Sequence, residues 1–338
     1  MLMSASPVKL DPGVIPTKDT KIVLAGSVEV PPIGKHYIII IFLNVWSWTP
    51  EAEKDAKEAF DAAIELGIPF YDTAEVYGKG ESEREINRFR EKYSPEDRQK
   101  QIIATKYFPY EDRTDFPDVL LSALRDSLAR LGVDKVDLYQ IHAPIHPVAI
   151  PIVADALADA HAAGLVTTVG VSNYNSDEIK EMYEALKKRG IQLASNQVSY
   201  SLVRTIPEKS GLIKTCHDLG VAILAYSPIG MGLLTGKFGA DGPFPESRKK
   251  RFESFDKEQL RQLLGVLQRL ATKYDRQQSA IALNWCISKG TIPLGGARTA
   301  EHVRQNAAAL GFLLTPEEVS ELDKFAFLGE NKKEWNHG

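Results

Sequence analysis

Alternation of short apolar runs with helical patterns predicts an α/β fold, a (β/α)8 TIM barrel of parallel strands. Eight β-branched or aromatic runs end in polar residues, and a helical pattern follows each. They lie at residues 42–47, 68–72, 102–106, 136–142, 166–172, 193–197, 221–226 and 291–295. No Gly/Ser linker or low-complexity tract divides the chain, so residues 1–338 read as a single domain with its core at about 21–327. The doubly wound alternative lacks its glycine fingerprint: Gly230-Met-Gly-Leu-Leu-Thr-Gly236 misses the spacing by one residue.

The elements follow in order. After the first run, Thr49 is placed to cap a helix whose first position is Pro50 and whose stop is Gly67. The second and third runs end at Asp72 and Lys106. Leu120, Leu124, Leu128 and Leu131 recur at helical spacing, with Gly132 as the stop, ahead of the run that ends in His142. Asn175 and Glu178 form a capping-box pattern before Ile179, Met182 and Leu186, and Gly190 ends that helix. Between Tyr226 and a helix at 257–274 the chain carries a surplus, residues 227–255. It follows strand seven at the C-terminal end of the barrel, where such folds build their sites.

Composition removes several classes of function. With 41 Lys+Arg against 45 Asp+Glu there is no basic footprint for nucleic acid. Two cysteines, Cys216 and Cys286, cannot make a disulfide scaffold or a cysteine zinc cluster, and both sit in apolar helical patterns as core thiols. The longest apolar run, Tyr37 to Leu43, is far short of the ~20 residues that span a bilayer. The opening MLMSASPVKLDP has no apolar signal core, which points to a cytoplasmic setting, or a plastid if a longer precursor exists.

The chemistry gathers at strand ends. Asp72, Lys106 and His142 close neighbouring strands, and Tyr77 follows Asp72 in Asp72-Thr-Ala-Glu-Val-Tyr77. Singly these are an ordinary lysine, a structural histidine and a common Asp/Tyr pair. Jointly they read as a site. A tyrosine with pKa ~10 is a poor acid at neutral pH. A buried lysinium favours its phenolate, a carboxylate keeps the lysine charged, and a histidine can orient a carbonyl. Together they suit protonation of a developing alkoxide. His142 and His146 flank Pro144, so no helix presents both, and no metal site is expected. Gly170-Val-Ser172 starts like a nucleophile elbow but lacks the second glycine.

These motifs resemble the aldo-keto reductase superfamily, in the subgroup with pyridoxal reductase and the potassium-channel β subunits. Besides the Asp72–Tyr77 segment, they include Ala-Thr-Lys106, Gln-Ile-His142, Gly-Val-Ser172-Asn173-Tyr, Ser-Asn-Gln197-Val, Ala-Tyr226-Ser227-Pro228-Ile-Gly and Gly296-Ala-Arg298-Thr, in the family's order. The resemblance implies a short N-terminal hairpin, a cofactor-covering loop after strand seven, and NADPH-dependent reduction of an aldehyde or ketone. It casts Tyr77 as general acid, Lys106 as the partner that lowers its pKa, Asp72 as counter-charge and His142 as the group that orients the carbonyl. It places Val45, Trp46, Ser172, Asn173, Gln197 and Tyr226 about the nicotinamide. Ser227, Pro228, Ile229, Gly232, Leu234 and Lys237 fall at the pyrophosphate. Arg248, Arg298, His302, Gln305 and Asn306 fall at the adenosine end.

Two departures from the family stand out. Ala143 replaces the usual bulky residue after the histidine, which should widen the substrate pocket. Before the first strand, residues 35–42 are extra, and Asn44 stands where a glycine approaches the nicotinamide. The extra residues are expected to lengthen a connection while Val45, Trp46 and Ser47 end the strand. Just after the eighth strand, Gly296 to Thr299 precede a helix, so their N–H groups can face an anion, and Arg298 adds the charge a 2′-phosphate needs. The expected partners are a small carbonyl compound and no nucleic acid or membrane, in a monomer or weak oligomer. Two other readings stay open: a regulatory protein on the same barrel that binds NADP with little turnover, and a barrel lyase with Lys106 as Schiff-base nucleophile.

Overall fold

The computed structural model describes residues 49–68 and 70–331, with the backbone of residues 23–24, 28–29 and 39–42. Seven parallel strands form a curled α/β sheet: β4 (Phe70–Asp72), β5 (Ile102–Tyr107), β6 (Val136–Ile141), β7 (Val166–Ser172), β8 (Leu193–Ser199), β9 (Ala222–Tyr226) and β10 (Ile292–Ala297). Each pairs with its sequence neighbour, as short right-handed crossovers through helices require. Ahead of them, β1 (Val23–Leu24) pairs antiparallel with β2 (Val28–Glu29). The backbone of β3 (Ile39–Phe42) pairs with β10 on one side, Leu294 opposite Ile39, and with β4 on the other, Ile41 opposite Asp72.

That last pairing corrects the first strand. The sequence reading placed it at 42–47 and treated 35–42 as surplus, whereas the pairing runs over Ile39–Phe42. A near-continuous β-branched run is the pattern expected of a strand with parallel neighbours on both sides, and the isoleucines supply one. Val45, Trp46 and the rest of 43–48 lie outside the described residues.

The helices begin and stop where their chemistry says. Thr49 Oγ1 accepts from Ala52 N–H at 3.2 Å and Pro50 opens the helix Pro50–Glu65. The helix Asp118–Leu131 turns its leucines inward and ends at Gly132, whose φ of 63° only glycine adopts without strain. Asn175 and Glu178 complete a reciprocal capping box on Ser176–Lys188. Burying each such leucine is worth about 1.5–3 kcal/mol.

Alternation along the strands separates two cores. Tyr71, Ile103, Tyr139 and Ile223 face the helices. Phe70, Ile102, Ala104, Leu138, Leu224 and Leu294 fill the interior of the sheet. Continuing the interior parity by two residues gives Asp72, Lys106, Gln140 and Tyr226. The chemical side chains are therefore the top layer of the packing that fills the barrel. The surplus at 227–255 is packed rather than open: Phe244 meets Phe252 edge-to-face at 5.4 Å, Phe238 lies 6.2 Å from Phe244, and the helix Glu246–Phe252 closes the segment.

Candidate active site

Lys106 is the centre of the site and is fully buried. Its ammonium donates to the Asp72 carboxylate, and at 2.8 Å to the Thr73 carbonyl. The same nitrogen lies 5.1 Å from the centroid of the Tyr77 ring. That ring stands edge-on to His142 at 5.6 Å and 76°. The structure thus brings Asp72, Tyr77, Lys106 and His142 together from the ends of three neighbouring strands.

Asp72 carries more donors than its lysine. Its other oxygen accepts from Gln197 Nε2 at 2.9 Å and from Gln140 Nε2 at 3.2 Å. Gln140 is fully buried and absent from the sequence-based set. The signal for it was its strand parity with Lys106, two residues before His142. Three donors, one of them charged, satisfy both oxygens of this buried side chain.

The electrostatics add burial to the expected balance. Burial lowers the affinity of Lys106 for its proton, but the Asp72 charge and the Tyr77 hydroxyl outweigh it, and the ammonium is held above the ordinary lysine value. Burial pushes the Tyr77 hydroxyl up, Lys106 pulls it down and Asp72 pushes it up again, so the net shift is upward. Lys106 acts in the expected direction, and burial, with Asp72, opposes it. His142 is held well below the usual histidine range by burial and then by Lys106. Its imidazole is neutral at pH 7 and retains one N–H.

Ser172, Asn173 and Gln197 lie beside this cluster. Asn173 adopts φ 65°, with its Nδ2 donating to the His142 carbonyl at 3.2 Å and its Oδ1 accepting from Tyr226 OH at 3.0 Å. Ser172 Oγ donates to the Gln197 carbonyl at 2.8 Å. Gln197 Oε1 accepts from no described residue, although Gln197 is only 3% exposed. Gln197 Oε1 is thus left to accept, as from the N–H of a carboxamide such as that of a nicotinamide, whereas the Ser172 hydroxyl and the Asn173 amide are engaged within the protein.

The pyrophosphate and adenosine candidates follow β9 and β10. Ser227, Gly230, Met231 and Gly232 have φ of 54°, 58°, 57° and 97°, a tight left-handed turn in which the Gly230 and Gly232 N–H groups donate to the Ser227 and Ile229 carbonyls. The φ of Gly232 lies in the region that favours glycine, and Arg248 Nη1 beside it donates to the Met231 carbonyl at 2.6 Å. Pro228 is buried and Ile229 half-buried. Leu234 is fully buried in the core, so its side chain faces away from any ligand, while Lys237 is exposed. Past β10, Thr299 caps the helix Ala300–Ala307, the Arg298 N–H donates to His302 Nδ1 at 3.3 Å, and the Arg298 side chain is exposed. Asn306 Nδ2 donates to the Gly296 carbonyl at 3.4 Å, and Gln305 Nε2 to Glu301 at 3.0 Å. Away from the site, His146 spends Nδ1 on the Val148 carbonyl at 2.6 Å and Nε2 on Tyr174 OH at 2.9 Å. Cys216 and Cys286 are fully buried, and burial raises the Cys216 thiol to about 12.

Parallel strands with this cluster at their C-terminal ends define a class of oxidoreductase fold. The family model described as "Aldo/keto reductase family" matches residues 43–326, and the chain belongs to that family. It is 34% identical to the chloroplastic pyridoxal reductase of Arabidopsis thaliana over 88% of this chain and 84% of that protein. It is 29% identical to the L-glyceraldehyde 3-phosphate reductase of Escherichia coli over 90% and 94%. Among solved structures, it is similar to the glycerol dehydrogenase of Gluconobacter oxydans, with a TM-score of 0.78 and 27% identity over 91% of this chain and 95% of that one. It is also similar to a Bombyx mori aldo-keto reductase in complex with NADP, with a TM-score of 0.70 and 25% identity over 95% and 99%. Among the described residues, no helix is long and apolar enough to cross a membrane.

Proposed function

We propose that this chain is an NADPH-dependent reductase of aldehydes or ketones, built as one complete (β/α)8 domain. In this reading an N-terminal hairpin precedes the barrel and residues 227–255 cover the cofactor. The observation that carries it is Lys106, held between Asp72, the Thr73 carbonyl and the Tyr77 ring, with a neutral His142 across the ring. NADPH, when bound, supplies the hydride. Ser172, Asn173 and Gln197 would hold its carboxamide, Tyr226 its ring, the left-handed turn after β9 its pyrophosphate, and Arg298 its 2′-phosphate.

The protein's own groups manage the proton. Tyr77, kept protonated by burial and Asp72, donates from its hydroxyl to the carbonyl oxygen as charge develops there. Lys106 stabilises the phenolate left behind, and Asp72, fixed by Gln140 and Gln197, keeps Lys106 charged. His142 donates its N–H to the same oxygen and orients it. Mixing the purified protein with NADPH and an aldehyde panel that includes pyridoxal, and following NADPH absorbance, tests this directly. Turnover is expected. Tight NADPH binding without turnover across the panel would favour the regulatory reading.

A further inference from the structure

Glu75 lies inside the Asp72–Tyr77 segment but takes no part in the proton path. Its side chain, 9% exposed, reaches into the loop that follows Lys106. Oε1 accepts from the Phe108 N–H and from Arg113 Nη1, both at 2.6 Å, and Oε2 accepts from Arg113 Nη2 at 3.2 Å. Arg113 Nη1 also donates to the Phe108 carbonyl at 2.9 Å. The ion pair therefore grips Phe108 by both of its backbone polar groups. A forked guanidinium is the cation suited to this, since it can serve a carboxylate and a carbonyl at fixed angles.

The grip has a consequence at the site. It sets the Phe108 ring edge-on to His142 at 5.7 Å and 80°, and against Tyr110 at 4.6 Å. The guanidinium lies beneath, 4.9 Å from the Tyr107 centroid and 5.1 Å from that of Tyr110. Tyr110 is 46% exposed, one of few large apolar side chains so exposed among the described residues. The pair's opposite charges are set against each other, and the wall beside His142 offers the flat apolar surface of the rings.

We propose that Glu75 and Arg113 are positioning residues that hold Phe108 and Tyr110 as an aromatic wall of the carbonyl pocket, selecting planar, uncharged aromatic carbonyls over aliphatic or anionic ones. This rests on the reductase reading. Flat rings gain offset or edge contacts with such a wall that a short alkyl chain cannot make. Tyr77 and Lys106 hold the reacting end alike for both.

The test uses the full chain with benzaldehyde, butanal and 4-carboxybenzaldehyde as substrates, and benzyl alcohol and butan-1-ol as calorimetric probes of the NADP+ complex. Benzaldehyde is expected to have the lowest KM. Arg113→Ala and Glu75→Gln should raise that KM about tenfold while butanal KM moves by less than about threefold, with kcat ratios preserved. Arg113→Lys, which keeps the charge but loses the fork, should fail to restore benzaldehyde KM. Equal loss on benzaldehyde and butanal would overturn the proposal, since a merely structural pair does not discriminate. A preference for 4-carboxybenzaldehyde that vanishes in Arg113→Ala would also overturn it, because Arg113 would then be a charge receptor. Failure of the reductase reading looks different: no aldehyde is turned over, yet benzyl alcohol binds and Arg113→Ala abolishes that binding. If benzyl alcohol and butan-1-ol bind alike and neither responds to Arg113→Ala, the wall itself is refuted.

Discussion

Tyr77 holds its proton more firmly than a free tyrosine because burial and Asp72 together outweigh Lys106, so a donor there is loaded throughout the neutral range. Tyr77→Phe keeps the ring between Lys106 and His142 and removes only the hydroxyl. It should leave NADPH affinity unchanged and lower kcat by ~10²–10⁴, the usual worth of a positioned acid. Single-turnover kinetics with wild-type amplitude and rate would reject Tyr77 as the donor. His142 yields a pH prediction. Unfolded, it gains a proton as pH falls through 6.5; folded, burial and Lys106 delay this to a much lower pH. The stability it contributes is whole above the unfolded value and is lost as pH falls from there through the folded one. Urea midpoints at about pH 7.5 and about pH 5.5 should therefore differ less in His142→Gln than in the unmodified protein. Equal differences would show that His142 is not held neutral.

At the scale of the element, the sheet depends on β3 and on the side chains that brace β5. β3 occupies the position between β10 and β4, so deleting residues 35–42 removes a strand that bonds to both neighbours. The deletion should lower Tm sharply or prevent folding, and an unchanged Tm would mean another segment takes that position. The support of Lys106 is separately testable. Glu83 is fully buried, with Oε1 accepting from Thr105 Oγ1 and Oε2 from Arg130 Nε, each at 2.6 Å. It ties β5 to two outer helices one residue from Lys106. Removing one partner of a buried pair costs about 3–5 kcal/mol, which Glu83→Ala should show in urea unfolding. A loss below about 1 kcal/mol would mean that water reaches Arg130 and replaces the carboxylate.

For the whole molecule, the proposed cofactor site links binding to folding, because the residues proposed to hold NADPH come from β7, β8, β9 and the segments after β9 and β10. At a free concentration of about 100 Kd, NADPH should stabilise the fold by about 2.7 kcal/mol, read as a rise in Tm by calorimetry. NADH at the same concentration should give a smaller rise, and Arg298→Ala should remove most of the difference. Equal shifts from both cofactors with the unmodified protein would exclude a 2′-phosphate site at Arg298.

Much of this was readable along the chain. Strand parity and apolar runs located the seven strands β4–β10 and put Asp72, Lys106 and His142 at one end, since alternation is a local property of each strand. Capping at Thr49 and Asn175 and the stop at Gly132 were equally local. What needed the folded chain was every relation between segments. Ile39–Phe42 joins the sheet because two neighbouring strands lack a partner there, not because of any turn signal near it. Gln140 resembles any strand glutamine until β4 brings Asp72 within 3.2 Å. Glu75 reads as one more acid in a motif until Arg113 folds back across its loop, 2.6 Å away. The net direction of the Tyr77 shift needed the fold for the same reason: it is a sum over burial, Lys106 and Asp72. A composition or spacing names the charges in such a sum, whereas their weights depend on distances that exist only once the barrel has closed around them.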